Sequence, residues 1–325
     1  MKPDSNATWT EDPVLVTGAA GFIGSHLSEA LCAKGARVRG LDNLSLGDRS
    51  KLSWADGCSN FEFFEGDISD RGSVEAAMSG CRWVFHLAAS PSVPRSIQEP
   101  LRSHQDNLTG TMIVLETARV LEVGRVVFAS SSAIYGEQEV EPKQEALEAR
   151  PITPYGLQKY AGERYAQMFT EFHKLDTVCL RYFNVFGPRQ SFDSPYSGVI
   201  ARFCDAALRH ETPIVYGDGL QTRDFTYVDN VVAANIAAAQ APAEAVRGQV
   251  FNAATGGSVT LLDILQALGE FTGRTIEPEF RPARAGDIRS SKADIQRAQK
   301  AFGLQTLVGW REGLRRTLDF YRNSR

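Results

Sequence analysis

The chain is 325 residues long, about twice the size of a typical domain, so its length predicts two domains or lobes. Apolar residues make up 43% and charged residues 23%, which is ordinary for a soluble globular enzyme. The formal net charge of -4 argues against a general nucleic-acid binder, because such proteins carry a basic surplus. No run of 18 or more apolar residues is present, so no membrane span is expected.

Cysteine and histidine usage argues against a disulfide-stabilised protein and against a metalloprotein. The five cysteines never form C-x-x-C, which favours scattered core thiols in a reducing cytosol over disulfides. The polar start of the chain lacks the apolar core of a secretory signal, so we expect a cytoplasmic protein. The five histidines form neither H-x-x-x-H nor H-x-x-E-H, and no metal site is predicted.

Apolar runs alternate with segments of helical period over the first 182 residues. The runs predict strands at 13–17, 36–42, 61–67, 83–88, 125–130 and 177–181. Helical spacing predicts helices at 25–34, 73–79, 104–121 and 155–174. This alternation is typical of an α/β doubly wound parallel sheet, the Rossmann arrangement, with its ligand at the carboxyl ends of the strands.

After about residue 182 the alternation loosens. Turn-forming residues predict loops at 187–190, 194–198 and 217–219. Helices are expected at 197–210, 230–240, 261–271 and 311–321. We therefore predict a first domain over 12–182 and a smaller C-terminal lobe over 183–325, with a segment near 224–254 returning to the first domain and a cleft between the two.

A glycine-rich turn joins the first predicted strand to the first predicted helix. Gly18, Gly21 and Gly24 permit a tight turn, close approach of a diphosphate and close helix packing. The helix N-terminus adds free N–H groups and a partial positive charge. Asp42 ends the next strand, where a carboxylate binds the adenosine ribose hydroxyls and repels a 2'-phosphate. The pattern predicts a dinucleotide site that favours NAD over NADP.

A second group of polar residues follows the fifth predicted strand. Ser130, Ser131 and Ser132 end that strand, and Tyr155 and Lys159 lie four residues apart on one face of the next helix. An ammonium beside a phenol favours the phenolate, so Tyr155 is predicted to act as a base near neutral pH. Convergence of these groups behind a dinucleotide loop predicts a catalytic site.

Eight segments carry a family resemblance: VTGAAGFIGSHL, LDNLS, HLAA, SSSAIYG, TPYGLQK, RYFNVFGPRQ, TRDFTYVDN and RAGDIRSSKAD, which together run from residue 14 to about 294. With them the chain resembles the extended short-chain dehydrogenase/reductases of the NAD-dependent sugar-nucleotide epimerase/dehydratase family. Ser131 and Ser132 resemble the serines that UDP-hexose 4-epimerases have at this position. The resemblance implies that 12–182 binds NAD, that 183–325 mainly binds a nucleotide sugar, and that two chains form a homodimer.

The resemblance also implies a reaction. Tyr155 takes the proton of the sugar 4-hydroxyl while carbon 4 gives a hydride to NAD, and Ser132 is the serine paired with Tyr155. The 4-keto sugar then turns over in the pocket, held by its UDP, and receives the hydride on its opposite face. Net redox change is zero. The catalytic residues implied are Ser132, Tyr155 and Lys159.

The same resemblance assigns binding residues. Those expected at the cofactor are Gly18, Gly21, Phe22, Ile23, Gly24, Asp42, Asn43, Asp67, Ile68, Leu87, Ala88, Ala89, Ser130, Tyr155, Lys159 and Tyr182. Those expected at the substrate are Ser131, Ser132, Asn184, Val199, Tyr216, Arg223, Arg284, Asp287 and Ser291. Two alternatives stay open: Asp67 also suits a helix N-cap, and residues 87–89 also suit ordinary packing. Asn107 is expected to support the serines structurally.

Two positions bear on the identity of the sugar. A bulky aromatic at the position of Ser291 closes the pocket of the resembling epimerases against a 2-acetamido group, so serine implies UDP-N-acetylglucosamine besides UDP-glucose. Arg95 suits either the carboxylate of a uronic acid or the solvated surface. The leading hypothesis is a UDP-hexose 4-epimerase. The alternatives are a UDP-glucuronate 4-epimerase and a non-catalytic NAD-sensing protein, against which the retained Tyr155 and Lys159 count.

Overall fold

The computed structural model describes residues 9, 12–191, 198–283 and 289–324. Its strands are β1 (Val14–Thr17), β2 (Val38–Asp42), β3 (Phe61–Glu65), β4 (Trp83–His86), β5 (Arg125–Ser131), β6 (Thr177–Tyr182), β7 (Val185–Phe186), β8 (Ile214–Tyr216), β9 (Thr222–Arg223), β10 (Thr226–Tyr227), β11 (Gln249–Ala253), β12 (Val259–Thr260) and β13 (Glu279–Arg281).

Helices alternate with these strands along the chain. They are α1 (Phe22–Ala33), α2 (Arg71–Met78), α3 (Val93–Gln98), α4 (Pro100–His104), α5 (Gly110–Val120), α6 (Pro154–His173), α7 (Val199–Arg209), α8 (Val228–Gln240), α9 (Ala243–Val246), α10 (Leu261–Thr272), α11 (Gln296–Phe302) and α12 (Trp310–Asn323). Short 3₁₀ turns cover 49–55 and 132–135. No helix among these is both long enough and apolar enough to cross a membrane.

Seven strands form the central sheet in the order β11-β6-β5-β4-β1-β2-β3, and every neighbouring pair is parallel. Alternate residues of β1 face opposite sides: Val14 and Val16 pack in one buried cluster and Leu15 in another. The first cluster includes α1, and the second includes α2, α5 and α6. Because helices cover both faces, the inner strands β1 and β4 are mostly buried along their length, whereas the edge strand β3 carries the exposed Glu62 and Glu65. The predicted doubly wound α/β fold is confirmed.

The seventh strand comes from the second half of the chain. β11 pairs with β6 in parallel, from Gln249 opposite Val178 to Ala253 opposite Tyr182. The strand lies within the segment 224–254 that we expected to return to the first domain. The domain boundaries themselves stay predictions, since the chain crosses between the two halves more than once.

The predicted helix 104–121 is interrupted in the structure. A π-helical turn at 105–109 separates α4 from α5. Asn107, in the middle of this turn, accepts from the Ser90 N–H (2.7 Å) and donates to the Gln158 side chain (2.8 Å). The wider turn therefore places a buried amide between β4 and α6, which helical periodicity alone does not indicate.

The described part of the second half also contains three short strand pairs, which sequence periodicity did not predict. They pair β10 with β7, β12 with β9 and β13 with β8. With two or three residues each, these strands are too short to show a period. The turns expected at 187–190 and 217–219 are present, whereas most of the loop expected at 194–198 lies outside the described residues.

The buried ion pair between Arg181 and Glu163 yields a test of stability. Its atoms lie 2.6 Å apart with side chains 4% and 2% exposed, and Glu163 also accepts from the Ser130 hydroxyl (2.9 Å). Glu163→Leu leaves a buried cation unpaired and is expected to cost about 3–5 kcal/mol of unfolding free energy in urea titrations. The control Glu75→Leu, in a half-exposed pair with Arg71, should cost less than about 1 kcal/mol. Equal losses would contradict this account.

Candidate active site

A cleft of about 850 Å³ lies at the carboxyl edge of the sheet, between the central strands and the second half of the chain. This is where a doubly wound sheet is expected to bind its ligand. The predicted site residues that line it are Gly18, Gly21, Phe22, Ile23, Gly24, Asp42, Asn43, Asp67, Ile68, Leu87, Ala88, Ala89, Ser130, Ser131, Ser132, Tyr155, Lys159, Tyr182, Asn184, Arg223 and Ser291.

Four predicted substrate residues are not brought to this cleft by the described structure. Arg284 and Asp287 lie outside the described residues. Val199 begins α7 and packs against the apolar core, although the preceding Gly198 lines the cleft. Tyr216 ends β8, and its side chain interacts with Arg281 on β13 instead.

The glycine loop is shaped as a dinucleotide requires. Gly18 has a φ of +71°, and a Cβ there would lie 2.8 Å from the Ala88 nitrogen. A Cβ on Gly24 would lie 2.0 Å from the Gly18 carbonyl oxygen, so α1 packs directly on the loop. Gly21 caps α1 without a side chain, which leaves the first N–H groups of the helix open towards the cleft. The cradle fits a diphosphate.

Asp42 is held at the end of β2 by backbone groups. Its carboxylate accepts from the Ala20 N–H (3.0 Å) and the Leu44 N–H (2.8 Å). Burial raises the pKa of Asp42, while these two hydrogen bonds oppose the rise. The fixed carboxylate lines the cleft beyond the glycine loop, where it suits ribose hydroxyls rather than a phosphate.

Asp67 lines the cleft and does not cap a helix. It accepts from the Ser69 N–H (2.8 Å) and from the Asn43 side chain (2.6 Å). Burial acts to raise the pKa of Asp67, but the Ser69 and Asn43 hydrogen bonds outweigh burial and the pKa is lowered. The N-cap of α2 is Asp70, which accepts from the Ser73 N–H (2.9 Å). Of the two roles open from the sequence, the cap belongs to Asp70.

Lys159 is almost fully buried beneath the site. Its ammonium donates to the Ala129 carbonyl (2.9 Å) and lies 5.1 Å from the centre of the Phe128 ring. Burial lowers the pKa of Lys159 to about 8. The lysine therefore ties α6 to the end of β5, one residue before the serines.

Tyr155 begins the same helix, one residue after Pro154 and two after the N-cap Thr153. Burial raises the pKa of Tyr155, and a hydrogen bond with the Ser131 side chain acts in the opposite direction. We expected Lys159 to lower this pKa, but in the structure burial outweighs every favourable contact. The Lys159 ammonium is directed to the Ala129 carbonyl instead.

The two candidate serines occupy different backbone positions. Ser131 is the last residue of β5, and its hydroxyl accepts from the Ala133 N–H (3.2 Å). Ser132 begins the following 3₁₀ turn. Both line the cleft. The hydroxyl that contacts Tyr155 is that of Ser131, whereas the resemblance implied Ser132.

Buried polar groups support the site from below, as expected for Asn107. Its amide bonds both backbone groups of Ser90, which lines the cleft, and the side chain of Gln158, next to Lys159. Sequence analysis missed His86, whose ring bonds Thr17 (2.8 Å) and Thr111 (2.9 Å). Burial lowers the pKa of His86 to about 3, so the ring is neutral. His86 is the first residue of the segment HLAA, and that position was the signal in the sequence that could have identified it.

The opposite wall of the cleft comes from the second half of the chain. Asn184 has a φ of +33°, which is strained for a residue other than glycine and often marks a functional position. Asp224 is buried and accepts from Thr255 and Gly256, and its N–H donates to the Ser291 carbonyl (2.8 Å). Asp224, the residue after Arg223 at the end of β9, thereby holds Ser291 at the cleft.

Comparison with known proteins agrees with this geometry. The model of the NAD dependent epimerase/dehydratase family matches residues 14–254. The chain belongs to this family. A UDP-glucose 4-epimerase of Mycolicibacterium smegmatis is 40% identical over 316 residues, which cover 95% of this chain and 98% of the relative. NAD is accordingly the cofactor of this enzyme, in agreement with the glycine cradle and Asp42.

Solved structures give the same result. A UDP-glucose 4-epimerase from Thermotoga maritima with UDP-glucose has a TM-score of 0.90 at 38% identity, over 96% of this chain and 99% of that one. A UDP-N-acetylglucosamine 4-epimerase from Methanobrevibacter ruminantium has a TM-score of 0.91 at 37% identity, over 97% and 100%. The family and fold expected from the sequence are confirmed.

The contact between Gly24 and Gly18 provides a test of the cofactor cradle. Gly24→Ala places a methyl group 2.0 Å from a backbone oxygen, so the loop must move and NAD affinity should fall at least about tenfold. Calorimetry measures the affinity of the variant for NAD, and circular dichroism checks that the variant folds. Gly309→Ala is the matched control, since a Cβ there meets nothing within 4 Å. Unchanged affinity in Gly24→Ala would refute the assignment of the cradle.

Proposed function

We propose that this chain catalyses redox-neutral 4-epimerisation of UDP-hexoses, with Tyr155 as the group that moves the proton of the sugar 4-hydroxyl. The observation that carries the proposal is one cleft in which Tyr155, Ser131 and Ser132 face the glycine loop on one side and Arg223 on the other. Relatives named UDP-glucose 4-epimerase and a structural neighbour named UDP-N-acetylglucosamine 4-epimerase support it.

The chain's own residues divide the work along the cleft. Gly18, the α1 N-terminus and Asp42 hold NAD, which when bound accepts a hydride from sugar carbon 4 and returns it. Tyr155 takes and later returns the hydroxyl proton. Either neighbouring serine hydroxyl, Ser131 or Ser132, can bond the same sugar oxygen.

Tyr155 needs help to lose its proton, because burial holds its pKa above the ordinary value. Lys159, one helical turn further on, is the nearest cation of the site on α6. Its pKa of about 8 leaves it mostly charged at neutral pH. We infer that Tyr155 takes the sugar proton as a phenolate, and that the charge of Lys159 favours this deprotonated form over the neutral phenol before the step.

Substrate binding is placed on the nucleotide. Arg223 lines the cleft on the wall opposite the glycine loop, and arginine suits a diphosphate because its N–H groups form a planar fork. Asn184 is a second polar group on that wall. Binding energy remote from carbon 4 leaves the sugar free to turn over between the two hydride transfers.

Ser291 bears on the breadth of the substrate range. Its small, buried side chain lines the cleft beside the Arg223 wall. We infer that UDP-N-acetylglucosamine and UDP-N-acetylgalactosamine are accepted besides UDP-glucose and UDP-galactose. The structural neighbour from Methanobrevibacter ruminantium, a UDP-N-acetylglucosamine 4-epimerase, supports this inference.

Tyr155→Phe tests the proposed chemistry. The variant keeps the ring but loses the proton-transferring oxygen, so epimerisation of UDP-galactose should fall by at least about a hundredfold while NAD remains bound. A coupled UDP-glucose assay measures turnover, and calorimetry measures NAD. Tyr160→Phe, on the same helix but outside the cleft lining, is the control. Near-normal turnover by Tyr155→Phe would overturn the assignment.

We also propose that two chains associate through α6. Leu157, Tyr165, Met168 and Phe172 recur along one side of this helix, and all are exposed, with Phe172 at 68%. Leu101 on the adjacent α4 is 87% exposed. An apolar stripe of this kind is typical of a buried interface, and a second copy of α6 complements it.

Charged substitutions test the association. Met168→Glu with Phe172→Glu buries like charges at the proposed interface, so light scattering should report the mass of one chain instead of two. Leu307→Glu is the control, because Leu307 is also exposed but lies near α12. A wild-type enzyme with the mass of one chain would contradict the proposal.

We further propose a cytoplasmic location. The five cysteines are all free thiols, and four of them are buried. Free thiols are typical of a reducing compartment.

A further inference from the structure

Two of the five cysteines lie side by side at the edge of the sheet opposite the cleft. Cys32 is in the last turn of α1, and Cys58 lies in the connection between the 3₁₀ turn at 49–55 and β3. Because the sheet is parallel, the end of α1 and the starts of β2 and β3 share its amino edge. Both cysteines pack in one apolar cluster, and their thiols interact directly through a side-chain hydrogen bond.

Asn60 fixes the positions of both cysteines. Its side-chain N–H groups donate to the carbonyls of Cys32 (3.0 Å) and Ala36 (2.8 Å), which joins the turn before β3 to the end of α1. Its side-chain oxygen accepts from the Cys58 thiol (2.8 Å). Its backbone carbonyl lies 3.8 Å from the Cys32 sulfur. Both sulfurs are therefore held against the same residue, although they come from different elements of the fold.

The two thiols differ in their access to solvent. Cys58 is half-buried, whereas Cys32 is only 8% exposed. Burial raises the pKa of the Cys32 thiol to about 12, and the neighbouring Cys58 thiol acts in the same direction. A small reagent in solution therefore meets Cys58 first, and Cys32 is the protected partner behind it.

The connection that carries Cys58 has room to adjust. A disulfide needs its two sulfurs about 2.05 Å apart, so two thiols in hydrogen-bond contact must move closer together. Asp56, Gly57 and Ser59, which surround Cys58, are exposed. Gly57 has a φ of +79°, and a Cβ there would meet nothing within 4 Å. The approach therefore falls to this exposed turn and leaves the packed helix α1 in place.

We propose that Cys32 and Cys58 form a reversible disulfide by exchange with a small-molecule disulfide such as oxidised glutathione, and that Cys58 reacts first. The Cys58 thiolate attacks one sulfur of the small disulfide, which forms a mixed disulfide and releases one small thiolate. Cys32 then loses its proton and attacks the Cys58 sulfur, which forms the bond between them and releases the second small thiolate. Two protein thiols are oxidised, and the small disulfide is reduced to two thiols that take up the two protons.

The bond would close residues 32–58 into a covalent loop. This loop contains β2 with Asp42, and Asn43 and Lys51 of the cleft lining. A cross-link restricts the unfolded chain, so it should stabilise the part of the fold proposed to hold the adenosine of NAD. Turnover should persist, because the bond lies at the edge of the sheet opposite the cleft. In a reducing compartment such a bond is transient and forms when the pool of small thiols becomes oxidised.

Peptide mapping tests the disulfide directly. The NAD-loaded enzyme is incubated with oxidised glutathione, its remaining thiols are blocked, and its tryptic peptides are analysed by mass spectrometry without reduction. The peptide that ends at Lys34 and contains Cys32 should be joined to the peptide that ends at Arg71 and contains Cys58. Dithiothreitol should separate them. The bond should form faster as the pH rises, because Cys32 must lose its proton before it attacks.

Three variants assign the roles of the two thiols. Cys58→Ser should give neither the linked peptides nor a glutathione adduct on Cys32. Cys32→Ser should stop at the mixed disulfide on Cys58. Cys81→Ser is the matched control, because Cys81 also lies near the end of a helix and is 5% exposed, and it should link as the wild type does. Circular dichroism checks that each variant folds.

Thermal unfolding measures the consequence of the bond. The linked wild type should melt a few degrees above the reduced enzyme, because the cross-link constrains the unfolded chain. Cys58→Ser treated with oxidised glutathione should melt at the same temperature as untreated Cys58→Ser. These readouts do not depend on the proposed function, so they remain valid for an enzyme that fails to epimerise UDP-galactose.

Four outcomes would overturn the inference. The first is the absence of linked peptides from the folded wild type, and the second is linkage that appears only after unfolding in urea. A glutathione adduct that persists on Cys58 of the wild type would show that Cys32 does not reach it. A linked enzyme that melts below the reduced one would show that the folded structure does not accommodate the bond.

Discussion

The contact between α6 and the end of β5 is the constraint on which the site depends. Lys159 donates to the Ala129 carbonyl, and one turn further along the helix Glu163 accepts from the Ser130 hydroxyl and pairs with Arg181 on β6. These buried polar links fix the rotation of α6 relative to the sheet. Because that rotation is fixed, Tyr155 at the start of the helix lies against the serines at the strand end, beside the glycine loop.

In the proposed function the two ligands are held at separate parts of the cleft. The glycine loop lets a dinucleotide approach the backbone, and Asp42 is the group proposed for its ribose. The proposed anchor of the nucleotide sugar is Arg223 on the far wall, which is remote from Tyr155. This division suits a reaction in which one ligand stays in place while part of the other must move.

Much of the fold and site was predictable because each signal was local. The glycine spacing, Asp42 at a strand end and the four-residue step from Tyr155 to Lys159 all follow from regular strand and helix geometry. Other features depend on distant packing. The π turn exists because Asn107 reaches Ser90 and Gln158, and the choice of Ser131 as the contact of Tyr155 follows from the 3₁₀ turn after β5. Neither leaves a periodic pattern in the sequence.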